Sequence, residues 1–208
     1  MNNLTATVFV VDDELSVRKA LLRLLRLAGL NAVQFASAEE FLECHDPSTP
    51  GCLVLDLAMP GLNGLELQEA LAARGSLLPI IFLTGYGDLL SGVTAMKRGA
   101  IDFLTKPVDG TELIEIVRGA IERDRVARQA HTELSEIRRR FAKLTPREYE
   151  VLCHVVSGKL NKQIAANLGT SEKTIKVHRA RVMEKAKVES LAELVMLAQR
   201  SGILLSQR

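Results

Sequence analysis

At 208 residues, 47% of them hydrophobic and only 4% aromatic, the chain is long enough for one large core or two small ones. No apolar run reaches the roughly 20 residues of a membrane span, and the start MNNLTATVFVVDDE has neither a basic region nor a cleavage site, so no membrane partner and no secretion signal are expected. Three cysteines (Cys44, Cys52, Cys153) without a CxxC pair, and four scattered histidines, speak against a disulfide frame or a zinc centre and for a cytoplasmic setting. The net charge of +2 hides an asymmetry: residues 141–208 hold 12 basic and 6 acidic side chains, leaving residues 1–140 with 15 and 19. An acidic front and a basic rear indicate two domains, the second facing a polyanion.

From the N-terminus, short apolar runs alternate with amphipathic ones. TVFVV (7–11) reads as a strand, and SVRKALLRLLRLAG (16–29) as a helix with Leu21, Leu24, Leu25 and Ala28 on one face and Gly29 as its stop. LNAVQF (30–35) is a second strand, with a short helix over 38–45. CLVL (52–55) and GLELQEALAARG (64–75) form a third strand and helix, PIIFLT (79–84) and LLSGVTAMKRG (89–99) a fourth. AIDFL (100–104) is the fifth strand, and the helix after it is capped by Asp109. Five such units, their strands apolar throughout, predict an α/β doubly wound five-stranded parallel sheet with helices on both faces.

In such a sheet ligands sit beyond the carboxyl ends of the strands. Strand one ends in Asp12-Asp13-Glu14, strand three in Asp56, strand four in Thr84, and strand five is followed by Lys106-Pro107. Each of these alone is ordinary strand-end chemistry; together, at successive strand ends, they are a site. Clustered carboxylates repel one another and favour a hard cation such as Mg²⁺ (or Mn²⁺), whose octahedral shell needs only a few protein oxygens. The amine and hydroxyl beside them can hold the oxygens of an anion on that metal. A carboxylate, a divalent cation and a cationic clamp make a phosphoryl-acceptor site, because phosphoryl transfer needs positioning and charge neutralisation above all.

Beyond Asp109 no convincing breaker appears before Thr145-Pro146. Leu113, Ile116, Ala120, Ala127, Ala130, Leu134, Ile137, Phe141 and Leu144 repeat at alternating threes and fours, with Arg123 in the one gap. A solvated linker helix and a dimerising or signal-transmitting helix both fit this pattern. The rear is helical: TPREYEVLCHVVSG (145–158) opens with capping-box chemistry, NKQIAANLG (161–169) is short, TSEKTIKVHRARVMEKAKV (170–188) is basic and SLAELVMLAQRSG (190–202) amphipathic. A short helix, a glycine turn and a basic helix make a helix-turn-helix within an all-α four-helix domain. Lys173, Lys176, Arg179, Arg181, Lys185 and Lys187 face only Glu172 and Glu184 as acids, while Ile175, Val182 and Val177 are left for the core or the groove wall. The absence of interleaved aromatics disfavours single-strand stacking. The expected division is 1–121, a helical linker over 122–142, and 143–208.

With VVDDE, LVLDLAMPGLNGLEL, FLTGYGD, AMKRGAIDFL and TKPV in view, residues 7–121 resemble the flavodoxin-like receiver domain of two-component response regulators. The resemblance implies that Asp56 takes a phosphoryl group from a sensor histidine kinase. It implies that Asp13 and Asp56 ligate Mg²⁺ with the backbone carbonyl of Ala58, Asp12 acting largely through water. Lys106 would contact the phosphoryl oxygens and Thr84 would close onto them. Phe103 matches the family's switch aromatic, turning inward as Thr84 moves; a plain core phenylalanine is the other reading. The Lys106–Pro107 peptide is expected to be cis. Two positions depart from the pattern. Ala58 stands where many relatives carry a larger polar residue, which bears on the lifetime of the phosphate. Gly92 sits inside the fourth helix, where relatives usually have a better helix former.

LTPRE, NKQIA and TIKVH make residues 144–200 similar to the LuxR/NarL-class output domain, and the two domains together resemble the FixJ-type branch. That resemblance places Lys176, Val177, Arg179 and Arg181 towards bases or flanking phosphates, Lys173 and Thr174 on the DNA backbone, and Lys162 on a phosphate. His178 is read as a packing or phosphate-facing residue. The implied function is a phosphorylation-switched transcription activator, a homodimer once phosphorylated, whose partners are the kinase, double-stranded promoter DNA and RNA polymerase. Two rivals differ on specific residues. An aspartyl-phosphate hydrolase needs a second carboxylate two residues after its nucleophile, where Ala58 stands, so an enzyme is not expected. A constitutive DNA-binding protein with a scaffold-only first domain would be expected to have lost part of its acidic pocket.

Overall fold

Five apolar runs form the centre of the first half of the chain: β1 (Thr7–Val11), β2 (Asn31–Phe35), β3 (Gly51–Asp56), β4 (Ile80–Thr84) and β5 (Asp102–Thr105), all parallel, in the order β2-β1-β3-β4-β5. The computed structural model describes residues 6–85 and 89–203, so the Tyr86–Asp88 end of the FLTGYGD motif lies outside the described residues. The chain divides into two compact units, residues 1–128 and 129–208.

In the first unit β1, β3 and β4 bury every residue, which is why they read as unbroken apolar runs. Alternate residues serve opposite faces. Phe9, Val11, Leu53, Leu55 and Phe82 pack with Phe41 of α2 (Ala38–Cys44), Leu67 of α3 (Gly64–Ala73) and Ala95 of α4 (Leu89–Lys97). Val8, Val10, Val54, Ile81 and Leu83 pack with Leu21 and Leu25 of α1 (Leu15–Leu27) and with Leu113 and Val117 of α5 (Gly110–Phe141). Each fully buried Leu or Val contributes about 1.5–3 kcal/mol, so the two cores fix which face every helix covers. β5 starts two residues later than the sequence suggests. The N–H groups of Gly99 and Ala100 donate to Met96 and Ala95 carbonyls, so that stretch closes the end of α4.

Two glycines are dictated by close approach. A Cβ on Gly51 would lie 1.8 Å from the Thr7 carbonyl oxygen of the neighbouring strand, and one on Gly64 would lie 2.5 Å from the Asp56 carbonyl oxygen. Gly64 thus lets α3 begin directly against the end of β3, where the Asn63–Glu66 capping box closes its first turn. The loop that follows Asp56 is held at both ends.

Helix α5 is continuous over 32 residues, with Asp109 Oδ1 accepting from the N–H groups of Thr111 and Glu112 as foreseen. Its inward face departs from the expected stripe. Leu113, Val117 and Ala120 are buried, and the next inward position is Asp124 rather than Ala127. The carboxylate accepts the Gly51 N–H at 2.9 Å, satisfying a buried donor at the start of β3.

In the second unit the last turns of α5 bury Ile137 and Phe141 among α6 (Pro146–Val156), α7 (Asn161–Asn167), α8 (Glu172–Ala186) and α9 (Leu191–Ser201). Thr145, Ser171 and Ser190 cap α6, α8 and α9 with their side-chain oxygens. Among the described residues no helix is long and apolar enough to cross a membrane.

Candidate phosphoryl-acceptor pocket and helix-turn-helix

The register that aligns Val11 with Leu55, Asp56 with Leu83 and Thr84 with Thr105 brings the strand ends to one rim. Asp12, Asp13 and Asp56 present carboxylate oxygens that all lie within 4.8 Å of one another; Asp12 and Asp56 are buried and Asp13 is exposed. Lys106 reaches in from beyond β5. Its Nζ stands 2.9 Å from Asp56 Oδ2, 2.7 Å from Asp12 Oδ2 and 3.8 Å from Glu14 Oε1. Its own backbone N–H donates to the Thr84 carbonyl at 2.7 Å, tying the lysine to the end of β4. The Lys106–Pro107 peptide is cis.

Charge is not balanced in this pocket, since the carboxylates of Asp12, Asp13, Glu14 and Asp56 meet the one ammonium of Lys106. Burial raises the pKa of Asp56 and outweighs the lowering by the Lys106 hydrogen bond and charge, with Asp12 adding to the rise. Burial alone would push Lys106 down, but its hydrogen bonds to Asp12 and Asp56 and their charges hold it above its ordinary value, so the ammonium persists. A cluster of hard oxygens with surplus negative charge fits a divalent cation.

The remaining predicted residues sit nearby without joining this network. The Thr84 hydroxyl is buried at the same edge and donates to the Gly85 carbonyl at 3.1 Å. At Ala58 the backbone N–H faces Asp56 Oδ1 at a long 3.4 Å. Phe103 is partly buried against the core on the α2–α4 side. One contributor was missed from the sequence. Arg18, in the first turns of α1, is buried and donates to the Asp12 backbone carbonyl at 2.6 Å, while the Glu14 N–H donates to Asp12 Oδ1 at 2.8 Å. The only local signal was a basic residue six positions after Asp12 on a helix whose apolar face was already assigned.

In the second unit α8 is two-faced. Ile175, Val182 and Ala186 are buried, while Lys173, Lys176, Val177 and Arg181 lie exposed at the spacing of a single helical face. Val177, 45% exposed, is an apolar side chain on an otherwise basic surface. Thr174 shares its hydroxyl with the Ser171 cap at 2.9 Å. Arg179 is half-buried and gives one guanidinium nitrogen to Asn161 Oδ1 at 2.8 Å, joining α8 to the start of α7. Lys162 is exposed on α7, and His178 is half-buried. Lys185, counted among the basic residues of this helix, instead pairs at 2.5 Å with buried Glu148 of α6. Arg147 donates to the Leu168 carbonyl, bracing the turn between α7 and α8.

Residues 8–118 match the response regulator receiver domain, and residues 142–198 match the bacterial regulatory proteins of the luxR family. Nodulation protein W of Bradyrhizobium diazoefficiens is 46% identical over 95% of this chain and 87% of its own length. Transcriptional regulatory protein FixJ of Azorhizobium caulinodans is 44% identical over 94% and 93%. Among solved structures, response regulator StyR is 45% identical with a TM-score of 0.85, covering 94% of this chain and 99% of that one. The chain therefore belongs to the response regulators of two-component systems: it is a transcriptional regulator of the FixJ/StyR-like kind, with a receiver domain followed by a LuxR-family DNA-binding domain.

Proposed function

We propose that this regulator is switched by phosphorylation of Asp56 and contacts promoter DNA through α8. One observation carries the acceptor assignment: a buried carboxylate at the end of β3 stands 2.9 Å from the Lys106 amine and within 4.8 Å of the Asp12 and Asp13 oxygens. Asp12, Asp13 and Asp56, with the backbone carbonyl of Ala58, are the residues that would hold Mg²⁺ (or Mn²⁺). When bound, the cation neutralises charge on the phosphoryl oxygens. Asp56 attacks the phosphorus of a phosphohistidine on the sensor kinase. An O–P bond forms, the P–N bond breaks, and the imidazole leaves with that electron pair. Lys106, already poised between Asp12 and Asp56, follows the new negative charge. Thr84 turns its hydroxyl from the Gly85 carbonyl to a phosphoryl oxygen, and Phe103 on the adjoining strand responds. With Ala58 two residues on, no side-chain carboxylate activates water there, so Asp56 acts as an acceptor and not as the nucleophile of a hydrolase.

Phosphorylation then pairs two copies, so that two α8 helices meet two half-sites. Lys176, Val177 and Arg181 face the groove, Lys173, Thr174 and Lys162 the flanking phosphates. Arg179 keeps α7 and α8 together through one nitrogen and offers its others to a phosphate. Residues 122–128 of the linker move with the receiver through Asp124, and residues 129–142 with the output domain through Ile137 and Phe141. The protein works in the cytoplasm as an activator that engages RNA polymerase.

The test uses full-length protein, Mg²⁺ and acetyl phosphate, read by intact mass, sedimentation and binding to duplexes selected from a random pool. The parent is expected to gain one phosphoryl group, to dimerise and to bind DNA more tightly at fixed salt, and Asp56→Asn to do none of these. A phosphoryl adduct retained by Asp56→Asn would overturn the acceptor assignment. Lys176→Ala should weaken DNA binding and lower its salt dependence by about one counterion, with phosphorylation intact.

A further inference from the structure

Gly92 is buried inside α4, at an interior position where glycine is a poorer helix former than alanine. The sequence alone makes it a weak point. The structure supplies a steric reason for it: a Cβ at this position would lie 2.7, 2.8 and 3.0 Å from Cζ, Cε2 and Cε1 of Phe103. Non-bonded carbons settle at about 3.5–4.0 Å, so a methyl group cannot share the space with the ring as it stands. The Phe103 ring therefore rests on bare helix backbone. The ring also packs against the core that holds Phe82, Ala95 and Ala100. Phe103 is also three residues before Lys106, whose amine is bound to Asp56.

We propose that Gly92 is a positioning residue: its missing side chain is the seat of the Phe103 ring, and through that seat the placement of α4 is tied to β5. The inference deepens the reading of Phe103 as the aromatic that responds to phosphorylation at Asp56, and rests on it. It turns an apparent flaw of α4 into the feature that lets the helix answer to the ring. Alanine at 92 would improve the helix locally and displace the ring, so the two substitutions Gly92→Ala and Phe103→Ala must be coupled.

The experiment is a double-mutant cycle in the full chain, with urea unfolding of the receiver followed by hydrogen exchange of β1 and β3 amides. With the ring removed by Phe103→Ala, Gly92→Ala should raise the folding equilibrium constant by about 2–5-fold, the plain difference in helix propensity. With the ring present, the same change should lower it. Fluorine NMR with fluorophenylalanine, the Phe103 signal assigned by its loss in Phe103→Ala, should show that signal moved in Gly92→Ala and the others unmoved. Equal gains in both backgrounds, or an unmoved Phe103 signal, would overturn the seat. If Gly92→Ala fails to fold, the double variant must restore folding, and its failure to do so would count equally against the proposal. Phosphodonor-driven dimerisation in the same variants separates the two readings. Phe103→Ala dimerising like the parent would remove Phe103 as the responding aromatic and leave the seat intact.

Discussion

Replacing Glu148 by glutamine should loosen the DNA-binding unit and remove a defined part of its acid sensitivity. Glu148 is 2% exposed, and its carboxylate accepts the Lys185 amine at 2.5 Å and the Thr145 N–H at 2.8 Å. These contacts, the Lys185 hydrogen bond first and the Thr145 N–H second, hold its pKa down at about 2 from an ordinary 4.5. The folded form then binds fewer protons than the unfolded one. The stabilisation is complete above about pH 4.5 and is lost as the pH falls towards 2. Linkage sets its ceiling at about 3 kcal/mol. The Lys185 side chain is 32% exposed, and screening by water brings the expected loss at pH 7 to about 1–2 kcal/mol. Glutamine keeps an acceptor for the Thr145 N–H, so the substitution isolates the charge. The chain has two tyrosines and no tryptophan, so in a Tyr86→Phe background Tyr149 of α6 alone reports urea unfolding of the second unit. Glu148→Gln should lower the midpoint at pH 7 and flatten the decline between pH 4.5 and 2.5 by roughly two-thirds of that free energy. Matching pH profiles for the two proteins, or a loss at pH 7 within the roughly 0.5 kcal/mol of an ordinary surface change, would refute the reasoning.

Gly51→Ala should unfold the first unit, because its Cβ would meet the Thr7 carbonyl oxygen at 1.8 Å in the first pair of the β1–β3 register; far-ultraviolet dichroism unchanged from the parent would contradict this. Asp124→Ala should cost about 2–4 kcal/mol by leaving the Gly51 N–H and the Arg128 guanidinium without their shared carboxylate. The same variant should speed amide exchange at Ser48, Thr49 and Gly51, in the segment whose Pro47, Ser48 and Thr49 carbonyls Arg128 holds, and parental exchange rates there would count against the clamp. His45 stacks on Phe41 at 4.7 Å and meets Phe9 edge-on at 4.8 Å. Burial first, then the Arg128 charge, push its pKa below 6.5, so the folded form resists the proton and stability falls as the pH drops below that value. His45→Phe should remove that fall, and an equal slope between pH 7 and 5 in both proteins would assign it elsewhere.

Much of this protein is determined by short-range pattern. The apolar runs of β1, β3 and β4 are legible because a parallel strand buried on both faces has no polar position to interrupt it. Asp109 and Thr145 announce their helices because a cap acts within three residues of itself. Once the sheet is parallel, Asp12, Asp56, Thr84 and Lys106 must share its carboxyl edge. Tertiary structure alone decided the partners of the polar groups. Asp124 looks like one more charge on a solvated helix, yet it meets a backbone N–H 73 residues away. Arg18 and Lys185 look like surface cations, yet one braces Asp12 and the other is bound to Glu148. Gly92 looks like a defect until the Phe103 ring is seen against it. Periodicity encodes which face of an element is apolar. Which donor, carboxylate or ring that face then meets depends on chain closure over tens of residues, and no local spacing records it.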